Sequence, residues 1–233
     1  MNPDTAERPL YFCGDVHGDF EALRLWSDVV EGGDIIQVGD LGVGFRDWKS
    51  DESILRRLGS AVSARNNRIF AIRGTHDRRD WFDGRQYDGL SLVKDGTVLS
   101  LHDETIFCWG GAHSVDRTSR TRDIDWWRDE IFDWNGELPD EPISILITHA
   151  GGPWTGLTPK APFLNGWHAR DKNLHKDLQS EIQQHHQLGE ALLKANHPLK
   201  AWYCGHYHLP LHGQIGNARC RTLDINEIVE WRY

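Results

Sequence analysis

Leu10-Tyr11-Phe12-Cys13-Gly14-Asp15-Val16-His17-Gly18 is the stretch on which the fold turns. An apolar tetrad reads as a short buried strand and runs straight into a glycine-flanked Asp-x-His. Residues 19–30 then place Phe20, Leu23, Leu25 or Trp26, and Val30 at helical intervals, with Asp19 as N-cap and Gly32-Gly33 as stop. Ile35-Ile36-Gln37-Val38 follows as a second strand ending in Gly39-Asp40. Ile54, Leu55, Leu58, Ala61 and Val62 mark a second helix, and Asn66-Asn67 a turn. Arg68-Ile69-Phe70-Ala71-Ile72 is the third strand, ending in Arg73-Gly74-Thr75-His76-Asp77. Strand, helix, strand, helix, strand is the order of a parallel sheet with covering helices.

Further along the rhythm changes. Leu90–Val93, Thr97–Leu101 and Ile106–Trp109 read as short strands, with Asp95-Gly96 expected as a hairpin turn between the first two. Residues 111–141 are polar and tryptophan-rich, and are expected to form an inserted loop or cap. Ile143–Ile147 is a buried strand ending in Thr148-His149. Residues 151–173 read as a long loop, of the kind that often carries function. Leu174, Leu178, Ile182, Leu188, Leu192 and Leu193 give a helix before Pro198. Ala201-Trp202-Tyr203 is a strand that enters Cys204-Gly205-His206-Tyr207-His208, and closing strands fall around 211–215, 219–225 and 228–232. The motifs run from residue 14 to residue 208 and must meet, so one domain over 1–233 is expected, with cap-like insertions at about 111–141 and 151–198.

The totals exclude several classes. A net charge of −9 argues against a general nucleic-acid coat, which needs a basic surface, but leaves a phosphate substrate open. Four cysteines without Cys-x-x-Cys spacing read as buried reduced thiols and not as a zinc or redox site. Most of the eleven tryptophans, Trp126-Trp127 included, read as packing. Met1–Pro9 lacks an apolar signal core and no run approaches membrane-spanning length, so a cytoplasmic protein without a membrane partner is expected.

Five strand ends carry groups that bind metals: Asp15 with His17, Asp40, Thr75 with His76, His149, and His206 with His208. In α/β sheets ligands bind outside the carboxyl ends of strands. The donors are carboxylate oxygen and imidazole nitrogen without thiolate, a set suited to Mn²⁺, with Fe or Zn²⁺ as alternatives. Asp40 is the candidate to bridge two such ions, which could hold a hydroxide and clamp an in-line displacement at phosphorus.

In order and strand context, Gly14-Asp15-Val16-His17-Gly18, Gly39-Asp40, Gly74-Thr75-His76-Asp77, Thr148-His149 and Gly205-His206-Tyr207-His208 resemble the motif series of the calcineurin-like metallophosphoesterase family. The resemblance implies an α/β fold in four layers, αββα, with two mixed sheets sandwiched between helices. It implies one ion on Asp15, His17 and His208, with Asp40 bridging to a second on His149 and His206. It also implies that His76 assists the leaving oxygen and that Asp77 helps orient it. Thr75 departs from the family's asparagine and is a shorter neutral ligand for the second ion. Gly39-Asp40-Leu41-Gly42-Val43 lacks the second aspartate and arginine of the dinuclear serine/threonine phosphatases, so no protein-phosphatase role follows.

The expected function is hydrolysis of phosphate mono- or diesters, on a small molecule or a phosphorylated substrate. A partner-binding scaffold of the same fold is the alternative that Thr75 raises, and a nuclease is a third that the acidic balance disfavours. Arg73 reads either as a phosphate contact or as a structural ion pair, and His113 as a substrate contact or as a support behind the ligands. Arg117, Arg120 and Arg122 read as a solvated loop with phosphate recognition as the alternative. His185-His186 read as a surface pair.

Overall fold

Strand β1 (Leu10–Cys13) shows how the layers arise in the computed structural model, which describes residues 8–232. Successive side chains on a strand alternate faces. Leu10 and Phe12 enter one core, while Cys13 and its neighbour Tyr11 enter another. The same split recurs in β2 (Asp34–Gln37), where Ile36 joins the first core and Ile35 the second. The second core is roofed by α1 (Glu21–Val29), through Leu23 and Trp26, and by α2 (Trp48–Ser63), through Leu55, Leu58 and Val62. Asp47 caps α2 by accepting the Ser50 N–H at 3.1 Å.

The first sheet is completed by β3 (Arg68–Ala71), β4 (Gln86–Tyr87), β5 (Leu90–Leu92) and, from the far end of the chain, β12 (Ile228–Glu230). Its order is β12-β1-β2-β3-β5-β4, parallel except for the two edge strands. The second sheet contains β6 (Thr97–Leu101), β7 (Glu104–Trp109), β8 (Ile145–Thr148), β9 (Ala201–Cys204), β10 (His212–Ile215) and β11 (Ala218–Thr222). Its order is β10-β11-β9-β8-β7-β6, again parallel in the middle with antiparallel edges.

The sheets meet face to face. Leu10, Phe12 and Ile36 of the first pack on Ile106, Ile145, Ile147 and Ala201 of the second, and Phe12 stacks on Tyr203 at 4.0 Å between ring centroids. On the far face of the second sheet, Leu146 and Trp202 pack on Leu188 and Leu192 of α4 (Leu174–Lys194). Full burial of each such side chain contributes about 1.5–3 kcal/mol. The result is the expected four layers, helices outside two mixed sheets.

One expectation is corrected. Asp95-Gly96 does not turn a hairpin, because β5 and β6 lie in different sheets. It is the crossing between them, and Asp95 accepts there from Arg73 and from the Gly110 N–H. The hairpin is β6–β7, and its two-residue turn is His102-Asp103, with φ of 52° and 56°. Positive φ at both central residues gives the twist that adjacent strands need. Residues 151–198 carry the helix expected before Pro198. They hold the short helix α3 (Asn165–Arg170) and then α4, which forms an outer layer of the sandwich.

Candidate metal centre

Each candidate ligand leaves the carboxyl end of a parallel strand. β1 delivers Asp15 and His17, and β2 delivers Asp40. Thr75 and His76 come after β3, His149 after β8, and His206 with His208 after β9. Four of these residues have left-handed backbones: His17 at φ 51°, Asp40 at 57°, His206 at 69° and His208 at 50°. Non-glycine residues rarely adopt that conformation, and such strain concentrates at functional sites. Glycines are needed beside them for close approach. A Cβ on Gly74 would lie 2.1 Å from Asp40 Oδ1, and one on Gly205 would lie 2.0 Å from Asp15 Oδ1.

The donor atoms fall into two groups that share a residue. One group is Asp15, His17, Asp40 and His208, the other is Asp40, His149 and His206, and within each the donor atoms lie within 4.8 Å of one another. His208 Nε2 stands 3.1 Å from Asp15 Oδ2 and 3.0 Å from His17 Nε2. His149 Nε2 stands 3.2 Å from Asp40 Oδ1. Backbone amides fix both carboxylates. The His76 N–H donates to Asp40 Oδ1 at 2.7 Å, and the His206 N–H donates to both oxygens of Asp15 at 3.1 Å.

The electrostatics suit a cation. Asp15 and Asp40 are buried, and among the described residues all their ion-pair partners are imidazoles. Burial would raise the Asp40 carboxyl, but His149 and His76 outweigh it and hold it well below the usual range. Burial opposes charge on His149, yet Asp40 lifts its imidazole to about 10. His206 is pushed well down, by burial first and by His149 next, which outweigh the opposing pull of Asp40.

The fit to a metal can be judged on His149. Its Nδ1 donates to the Val38 carbonyl at 3.0 Å, which leaves Nε2 as the coordinating nitrogen. That Nε2 is buried with no well-directed hydrogen bond. A buried imidazole nitrogen that faces a buried carboxylate without a well-directed bond is a donor pair that a cation placed between them would satisfy. The residues fit divalent metal.

The other candidates divide. Thr75 is buried, and its hydroxyl donates to Asp40 at 3.3 Å. His76 Nδ1 donates to Asp40 Oδ2 at 2.9 Å, so its ring lies on the rim of the cage. Asp77 does not touch that ring through any described hydrogen bond. Its carboxylate accepts the N–H groups of Leu41, Gly42, Val43 and Gly74 at 2.8–3.1 Å, and so binds the Asp40 loop to the Thr75 loop.

Arg73 lies away from the cage with its side chain 1% exposed. It donates to Asp95 at 2.8 Å, to Asp133 at 3.3 Å, and to the carbonyls of Asp129, Glu130 and Ile131. Of its two readings, the structural ion pair is the one this placement fits. His113 also stands outside both donor groups, on a cleft with Arg117, Trp126 and Glu130.

Two further neighbours stand against the cage, Arg120 from the basic cluster of the sequence and Phe45, which the sequence did not mark. Arg120 is only 9% exposed, and its Nη2 donates to His76 Nε2 at 2.5 Å. The same Nη2 also pairs with Asp116 at 2.8 Å, while its companion Arg117 is held by Asp171 and Asp177 away from His76. Phe45 stacks over His76 at 5.9 Å between centroids. The basic run was legible, but nothing local told which guanidinium would reach the site. His185 is corrected outright. It is fully buried, stacked on Phe132 at 3.9 Å, and not part of a surface pair.

Facing mixed sheets thus carry an oxygen-and-nitrogen cage, able to hold metal, at their strand ends. A family description of calcineurin-like phosphoesterases matches residues 8–210, and the chain belongs to that family. The structure of TT1561 of Thermus thermophilus is similar at a TM-score of 0.56 and 12% identity, over 97% of this chain and 99% of that one. A putative 5′-nucleotidase from Staphylococcus aureus, in complex with alpha-ketoglutarate, is similar at 0.52 and 13% identity, over 97% of this chain and 50% of that one. At such identities the likeness is one of fold. No curated protein matches the sequence.

Proposed function

We propose that the protein is a metal-dependent phosphoesterase that hydrolyses phosphate mono- or diesters. The observation that supports this most is the sharing of Asp40 between the two donor groups. In this reading Asp15, His17 and His208 would hold one ion and His149 and His206 a second, with Asp40 the carboxylate available to both. Thr75 orients the shared carboxylate through its hydroxyl and would be the poorer neutral ligand of the second ion. The donor set suits Mn²⁺, with Fe or Zn²⁺ as alternatives. Bound ions of this kind polarise phosphoryl oxygens and make water a nucleophile at neutral pH.

The chain's own residues do the rest. His76, on the rim, is placed to assist the departing oxygen by stabilising its developing charge or by supplying a proton when the ring is protonated. Arg120, already against His76, is placed to clamp a phosphoryl oxygen, since guanidinium matches that geometry. Asp77 acts as a positioning residue for the two loops that carry Asp40 and His76. Among the described residues no helix is long and apolar enough to cross a membrane. Four buried free thiols suit a reducing compartment, and a cytoplasmic location is part of this proposal.

The test is an assay of the Mn²⁺-loaded protein on aryl phosphate mono- and diesters. Turnover that Asp40→Ala abolishes is expected. No turnover with any divalent ion, or turnover indifferent to Asp40→Ala, would refute the reading.

A further inference from the structure

A cavity of about 190 Å³ opens directly beside His206 and His208. Its outer walls come from the 151–198 stretch: Leu157, Phe163 and Leu164 before α3, and Leu178 and Ile182 from α4. Leu164, Leu174 and Leu178 form a small core of their own, with Val115 and Trp167 packed against it, so the wall is a built surface. The polar groups on the lining are few and mostly engaged. Glu181 is 2% exposed and accepts the His113 N–H at 2.5 Å, while Tyr207 donates its hydroxyl to the Gly151 carbonyl at 3.1 Å. Burial pushes the Glu181 carboxyl up to about 8, so it is largely uncharged at neutral pH and does not repel an ester.

We propose that this cavity takes the organic group of the ester, and that the substrate is a phosphate ester of a compact apolar alcohol, either one ring or a branched chain. The inference rests on the phosphoesterase reading and names its substrate class. His206 and His208 belong both to the cavity lining and to the donor groups, so phosphorus held at the cage lies next to the cavity mouth. The size is right, since a dry cavity of about 150 Å³ in another protein accepts benzene. A sugar or nucleoside is disfavoured because its hydroxyls would be buried against hydrocarbon without partners.

The experiment compares benzyl phosphate, methyl phosphate and ribose 5-phosphate on the Mn²⁺-loaded protein, together with the methyl diesters of the first two. Benzyl and methyl alcohols are similar leaving groups, so their difference reports burial of the ring. The expected kcat/KM favours the benzyl ester on the order of 10- to 100-fold over the methyl ester, and Ile182→Gln lowers that ratio about tenfold. Gln keeps a good helix former on α4. Turnover with a ratio near one, a ratio unmoved by Ile182→Gln, or a preference for ribose 5-phosphate overturns the assignment and leaves the phosphoesterase reading standing. If no ester turns over, that reading fails instead. Benzyl alcohol titrated into metal-free protein then tests the cavity alone. NMR shifts at the Leu178 and Ile182 methyls support an apolar ligand site, and unmoved methyls overturn it.

Discussion

Replacing Arg73 with methionine should cost stability and spare catalysis. The guanidinium is 1% exposed and donates to Asp95 at 2.8 Å, to Glu130 O at 2.8 Å and to Ile131 O at 2.9 Å. Methionine fills much of the same space but donates nothing. Breaking a buried ion pair by removing one partner costs about 3–5 kcal/mol. Part of this is offset, because Asp95 keeps the Gly110 N–H at 2.9 Å and has Arg79 at 3.5 Å. The orphaned carbonyls of residues 130 and 131 add about 1 kcal/mol or more each, unless water reaches them. A net loss of about 4 kcal/mol is the resulting order of magnitude. For a chain of this size each kcal/mol moves Tm by about 2–4 °C, so a fall of about 10 °C is expected. Urea unfolding and differential scanning calorimetry measure it. The kcat/KM of the folded variant, assayed well below its lowered midpoint, should stay within about threefold of the parent, because no substrate contact is lost. A variant with unchanged Tm and a kcat/KM reduced a hundredfold would refute the reasoning and make Arg73 a phosphate ligand.

Three further outcomes are expected. Gly205→Ala adds a Cβ that would stand 2.0 Å from Asp15 Oδ1, so the carboxylate must move; calorimetric titration with Mn²⁺ should find affinity lowered at least tenfold, and unaltered affinity would contradict the geometry. Arg120→Ala should cut kcat/KM on the order of 10- to 100-fold while shifting stability by less than about 1 kcal/mol, because its carboxylate partner Asp116 is a third exposed. His185 is buried and, mainly through burial, its imidazole is pushed down to about 3. The unfolded chain binds this proton below its ordinary pKa and the folded chain does not, so stability falls as pH drops from about 6.5 towards 3. Relative to His185→Leu, the parent should lose about 1.4 kcal/mol per pH unit across that window, and parallel stability curves would contradict the assignment.

Much of the fold was legible because its signals are local. The periodicity switch from strand to helix between Leu10 and Ile72, and the motif that closes each parallel strand, need no knowledge of distant neighbours. What failed was non-local. Asp95-Gly96 has turn chemistry, but whether a turn pairs its flanking strands or passes them to another sheet depends on partners far along the chain. The true hairpin turn, His102-Asp103, carries no glycine and gave no strong signal. His185 was readable after all. It lies seven residues from Leu178 and from Leu192, and three from Leu188, on the buried stripe of α4. Asp77 and Arg120 stand at the opposite limit. A carboxylate that gathers four amides of two loops, and a guanidinium that folds back onto His76, depend on loop paths that hydrophobic patterning does not encode.

Crystals soaked in Mn²⁺ and measured for anomalous scattering would test the cage most directly. Two peaks about 3.5–4 Å apart are expected, both within bonding distance of the Asp40 carboxylate, one also near Asp15 and His208 and the other near His149 and His206. Peaks that left Asp40 uncoordinated, or no peak among these residues, would contradict the account.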